Sequence, residues 1–118
     1  MPKALPVIDI SGAVCCPPVA RGELTAAEAL EAALRLKALA DPVRVRMVSV
    51  LLHQDPGGSR NLDLAERLGL SDATISHHLG VLSRAGLVHR ERQGGTTVYR
   101  VNRGPLGDLA RVIDPARC

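Results

Sequence analysis

The 118-residue sequence has no Phe, no Trp and a single Tyr. With 46% of residues apolar, its core must therefore be built from Leu, Val, Ile and Ala. A thin aliphatic core in so short a chain often gains stability by pairing with a second copy. No apolar run approaches the roughly 20 residues of a membrane span, and the N-terminus lacks the charged, apolar, small-residue order of a secretion signal. The expected partners thus exclude a membrane, and the expected compartment is the cytoplasm, where thiols stay reduced. Cysteine is scarce: Cys15, Cys16 and Cys118. An odd count excludes a closed disulfide framework. Lysine is scarce too, since 13 of the 15 basic residues are Arg. Arginine suits bidentate phosphate recognition, although a net charge of +3 is by itself weak support for a nucleic-acid partner.

Residues 1–22 carry Pro2, Pro6, Gly12, Pro17, Pro18 and Gly22 and read as an irregular arm. Helical signals begin at Thr25, which with Glu28 fits a capping box; Leu30, Ala33, Leu34 and Ala38 follow at helical spacing. Asp41-Pro42 predicts a second start, Asp as N-cap and Pro at the first helical position. "DPGGSR" (55–60) predicts a turn. Asn61 predicts the cap of a short third helix that Gly69 ends. Ser71 then starts a fourth, with Ile75, Leu79 and Leu82 facing inward and Gly86 as its stop. From 87 to 101 the period changes to that of strands, and Gly94-Gly95 supplies a hairpin turn. After Gly104-Pro105, Leu106, Leu109, Val112 and Ile113 give a short last helix. The domain so outlined is 23–114, with 115–118 as a tail. A short helix, a three-residue turn and a longer helix form a helix-turn-helix, and the ribbon after it is a wing. The fold expected is mainly α with a small β-hairpin: a winged helix-turn-helix, as a homodimer.

The fourth helix places Ser71, Asp72, Thr74, Ser76 and His77 at or near its N-terminal turn, where a recognition helix meets base edges. Hydroxyls there can bond bases or phosphates, although Ser71 also serves as an N-cap. Arg84, Arg90, Arg92, Arg100 and Arg103 face one acid, Glu91, between 84 and 103. That local excess of +4 suits a wing that follows the backbone or enters a minor groove; a solvated face is the plain alternative. Double-stranded operator DNA is the partner expected, with Arg90, Arg92 and Thr96 as its contacts on the wing. His77-His78 reads as surface or core histidine in preference to a ligand pair.

"LKALADPVRVRMVSVL", "LAERLGLSDATISHHLGVLSRAGLV" and "RERQGGTTVYRV" together resemble the ArsR/SmtB family of metalloregulatory repressors, over Leu34 to Val101. The resemblance implies a homodimeric repressor that holds its operator in the metal-free state and releases it when a thiophilic or transition metal binds. It also implies a dimer interface from the first and last helices: Leu30 and Leu34 with Leu106, Leu109, Val112 and Ile113. Asp72 departs from the family, whose members often carry Gln there. An acid repels phosphate but accepts from cytosine.

Two inducer sites usual in the family lack their ligands. The third helix, "NLDLAERL", has no cysteine, and the last has Asp108 and Asp114 but no histidine. What remains is Cys15, Cys16 and Cys118 as metal ligands. Thiolates select soft ions, and trivalent arsenic and antimony favour three sulfurs in a pyramid. Neighbouring side chains point oppositely in a strand and splay by about 100° in a helix, whereas a loop can turn both sulfurs to one ion. Pro17-Pro18 blocks a helix there. An adjacent pair in an N-terminal arm also resembles arsenic-sensing family members of actinobacteria, whose third thiol lies elsewhere; "LLHQDPGG", nearest that place, has none. Cys118 is then the candidate third sulfur, reached across the dimer, or else a frayed end. The function expected is an As(III)- or Sb(III)-responsive repressor with no cofactor required. Alternatives are the same fold sensing Cd, Pb, Zn or thiol oxidation, and a small thiol enzyme such as an arsenate reductase. The enzyme is disfavoured because "CCPPVARGE" puts prolines where an anion-cradling loop needs N–H donors.

Overall fold

Thr25 opens the first helix of a computed structural model that describes residues 22–115. In α1 (Ala26–Leu39) the Glu28 N–H donates to Thr25 Oγ1 at 3.2 Å and the Thr25 N–H donates to Glu28 Oε1 at 2.8 Å. This is the reciprocal cap the spacing predicts. α2 (Pro42–Gln54) starts on Asp41, whose Oδ1 accepts from the N–H groups of Val43 at 2.8 Å and Arg44 at 3.2 Å. Those two donations hold the Asp41 carboxyl below its ordinary range. α3 (Asn61–Leu68) ends on Gly69, at φ +69° in the left-handed region. Three residues later α4 (Asp72–Arg84) starts on Ser71, whose Oγ accepts from the Thr74 N–H at 3.1 Å.

β1 (Val88–Gln93) and β2 (Thr96–Val101) pair antiparallel, Val88 opposite Val101 and Gln93 opposite Thr96. Gly94 and Gly95 form the two-residue loop at φ +57° and +87°, the doubly positive backbone that a type I′ turn requires. α5 (Arg103–Val112) follows.

Three local expectations need correction. α5 begins at Arg103, before Gly104-Pro105. Pro105 falls in the first turn, where a helix has no internal acceptor for an N–H, so the missing donor costs nothing. Asn61 is the first residue of α3 and does not cap it; Arg60 holds that place. The Arg60 guanidinium forks the Asp63 carboxylate at 3.0 and 2.9 Å and lowers its proton affinity. Ser59, expected within a turn, exchanges both backbone bonds with Tyr99, at 3.0 and 2.8 Å. It thus adds one rung to the outer edge of β2.

The core is aliphatic. Met47, Leu51, Leu64, Ile75, Leu79, Leu82 and Leu87 are all but fully buried, so Ile75, Leu79 and Leu82 do face inward. α1 lies against α2, α4 and α5. That contact changes the reading of the interface residues. Leu109 is 4% exposed within the single chain and Leu106 packs on the core. Leu109 therefore belongs to the protomer's own interior and not to a surface a partner could cover. Leu30 and Val112 are half-buried, while Leu34 and Ile113 are exposed, 42% and 69%.

Candidate nucleic-acid interface

α3, its three-residue turn and α4 set two helices against one another, and their joint burial of Leu64, Ile75 and Leu79 fixes which side of α4 looks out. Asp72, Ala73, Ser76 and His77 are exposed and Thr74 is half-buried. The Ser71 hydroxyl serves twice: its oxygen caps the helix, and its proton goes to Thr74 Oγ1 at 2.9 Å. The Thr74 hydroxyl, having accepted, keeps its own hydrogen to donate.

Asn61 is the residue that sequence reasoning missed. Its Nδ2 donates to the carboxylate and, at 3.4 Å, to the backbone carbonyl of Asp72, while its Oδ1 accepts from the Ser76 hydroxyl at 3.5 Å. The polar side chain at the start of α3 therefore reaches α4 instead of capping its own helix. A turn as short as three residues was the available signal, since it brings the two helix starts together.

His77 is exposed and its ring lies 5.3 Å from that of His78, but the two are not equivalent. His78 is half-buried, and Arg44 Nη1 donates to its Nδ1 at 3.1 Å, while Arg44 Nε donates to the Ala38 carbonyl. His78 thus helps hold α4 to α2. Among the described residues no group of three or more His, Cys, Asp or Glu is placed to share a metal ion.

On the wing, Arg90, Arg92 and Thr96 are exposed, and Arg92 Nη1 reaches Thr97 Oγ1 at 3.5 Å. The local charge of +4 needs revision. Arg103 Nε donates to Asp55 Oδ2 at 2.8 Å, and Arg100 Nη2 meets Asp55 Oδ1 at 3.5 Å. Arg100 Nη1 also meets Glu91 Oε2 at 3.3 Å. Asp55 comes from the end of α2, far outside the stretch over which the charge was counted. The Arg103 bond first, and then the charges of Arg103 and Arg100, keep Asp55 below the ordinary carboxylate range. Glu91 is lowered mainly by the hydrogen bond from His89, at 3.0 Å, with help from Gln93 and Arg100. His89 Nδ1 also meets Asn102 Oδ1, and Asn102 Nδ2 donates to the Gly86 carbonyl at 2.8 Å. The base of the wing is thus internally paired, and its outer cations are Arg90 and Arg92.

Cys15, Cys16 and Cys118 lie outside the described residues, as do 1–21 of the expected arm and 116–118 of the expected tail. Among the described residues no helix is long and apolar enough to cross a membrane.

Comparison with known proteins agrees with this architecture. A helix-turn-helix domain family matches residues 39–91. An uncharacterised helix-turn-helix transcriptional regulator of Mycobacterium tuberculosis is 33% identical over 76 residues, 64% of this chain and 65% of its own length. This chain thus spans just under two thirds of that regulator. The solved structure of an ArsR-like transcriptional regulator from Rhodococcus superposes with a TM-score of 0.62 at 30% identity, covering 72% of this chain and 77% of that one. The chain belongs to the ArsR/SmtB family. A Mycobacterium bovis structure, a homodimeric winged helix-turn-helix DNA-binding domain of a possible ArsR-family regulator, superposes at 0.60 with 29% identity. It covers 77% of this chain and 81% of that one. All three are named as regulators, which speaks against the thiol-enzyme alternative.

Proposed function

We propose that this ArsR/SmtB chain is an operator-binding repressor that works as a homodimer and lets go of DNA when trivalent arsenic or antimony binds its cysteine thiolates. The observation that carries the DNA half is the outward face of α4. Asp72, Ser76 and His77 stand exposed on a helix whose other side is locked into the core, with Arg90 and Arg92 beside it on the wing. Two copies would enter successive major grooves about 34 Å apart. The exposed Leu34 on α1 and Ile113 past α5, on helices that already touch, support pairing through that side.

The inducer half rests on the sequence. The adjacent Cys15 and Cys16 lie in a proline-rich segment and offer soft ligands, and Cys118 is a third. An ion shifts the equilibrium only by its preference for the DNA-free geometry. Tying the arm to the interface of a dimer supplies such a preference, if the tied dimer spaces its two α4 helices wrongly for the half-sites.

The test is retardation of the chain's own promoter fragment in a gel. Arsenite is expected to abolish the shift for the wild type and to leave it for the Cys15→Ser/Cys16→Ser double variant. Release of the double variant by arsenite overturns the sensor assignment. Cadmium, lead, zinc and peroxide in parallel lanes separate arsenic from other thiophilic ions and from oxidation, and Cys118→Ser distinguishes two sulfurs from three.

A further inference from the structure

We infer that Asn61 is a positioning residue for base selection: it presets Asp72 and Ser76 as hydrogen-bond acceptors, so that α4 prefers a base with an exocyclic amino group, cytosine or adenine. The inference rests on the DNA-binding reading above and goes beyond it by naming what the helix selects.

The orientation of Asn61 follows from its neighbours. The Asp72 carboxylate can only accept when ionised, so the amide must turn its Nδ2 toward Asp72. The Asp72 carbonyl, also an acceptor, faces the same nitrogen at 3.4 Å. That leaves Oδ1 for Ser76, at 3.5 Å, so the serine hydroxyl is the donor of that pair. With its hydrogen turned toward Asn61, Ser76 Oγ offers only lone pairs outward. One carboxylate oxygen of Asp72 is likewise free to accept. Asp72 and Ser76, four residues apart, lie on one side of α4, and both are exposed. In the major groove, cytosine N4 and adenine N6 are the donors, and adenine N7, guanine O6 and N7 and thymine O4 are acceptors; such a pair bonds the amino groups and rejects guanine and thymine, which offer it acceptors alone. Without Asn61, the Ser76 hydroxyl could rotate to donate, and the Asp72 side chain would be free to swing away.

The experiment is selection of bound duplexes from a randomised half-site library, using the full chain at fixed salt. Affinity for a random-sequence duplex and thermal melting are measured alongside. Wild type is expected to favour C or A over G or T at one half-site position by about 10-fold, in the range of a single base contact. In Asn61→Ala that ratio should drop to about 3-fold or less, with random-duplex affinity within about 2-fold of wild type. Asp72→Asn, which can donate through its amide, should shift the same position toward G or T and so carries the test even if Asn61→Ala fails to fold. An unchanged ratio in Asn61→Ala, or no shift in a folded Asp72→Asn, overturns the inference alone. A wild-type chain that retains no duplex even at low salt overturns the DNA-binding reading and this inference with it.

Discussion

The recognition helix and the wing both present polar groups outward, but they are held in opposite ways. Beneath α4, Ile75, Leu79 and Leu82 are at most 1% exposed, so dispersion and burial fix its position. The wing has buried valines, Val88, Val98 and Val101, and the Ser59–Tyr99 backbone pair, and is further fastened by charge: Asp55 to Arg100 from outside, Glu91 to Arg100 between its own strands. The same charged groups therefore have different uses in the two regions. On a helix with a packed underside, an exposed polar residue is free for a ligand. On a ribbon fastened by ion pairs, some of the cations are the fastening.

The contrast is broken most directly by removing one side chain from each region. Leu79→Ala should destabilise the domain by about 2–5 kcal/mol, the cost of lost transfer energy plus a residual cavity, read as a lower urea midpoint. Arg100→Ala should cost less, because Asp55 keeps its shorter bond to Arg103 at 2.8 Å and Glu91 stays in contact with water, where an ion pair contributes little. Equal losses would mean that the wing is as deeply anchored as α4.

DNA affinity sharpens the same contrast among the arginines themselves. Arg90→Ala and Arg92→Ala should each weaken binding to any duplex sequence and each reduce the slope of log K against log salt by about 1, as loss of one phosphate contact does. Arg103→Ala should leave that slope unchanged, since its guanidinium is already committed to Asp55. A reduced slope in Arg103→Ala would place it on the phosphate backbone and restore the count of cations suggested by sequence.

These cases also mark what could be read in advance. Thr25, Asp41, Ser71 and Gly69 act within four residues of their own positions, so the starts of α1, α2 and α4 and the end of α3 were legible. The Gly94-Gly95 turn was legible for the same reason. Asp55 with Arg103, Ser59 with Tyr99 and Arg44 with His78 join residues 34 to 48 positions apart, and no local pattern announces such pairs. Leu109 was misassigned because an apolar stripe does not say whether its cover is the same chain or another. Asn61 was misassigned because the residue type that caps a helix can equally bond across a short turn. The cysteine site was read from sequence and lies outside the described residues.

The smallest expected effect concerns acid. Asp55 and Glu91 are both held below their ordinary values by the cations and N–H donors around them. A carboxylate that binds protons less readily when folded stabilises the fold above its unfolded value, near 3.9 for Asp and 4.3 for Glu. That stabilisation disappears as pH falls through the lower folded value, because there the unfolded chain has already taken up the proton and the folded chain must follow. The wing's fastening should therefore be intact from neutral pH down to about 4 and weaken below it, while the packing beneath α4 has no such dependence. Asp55→Asn removes one titrating partner. Its stability should lie slightly below that of wild type at pH 7, and the two denaturation curves should converge as the pH falls through the lowered folded value of Asp55. A gap that stays constant across that range would mean that Asp55 acts by shape and hydrogen bonding alone, and the wing would then be fastened on the same terms as the helix it flanks.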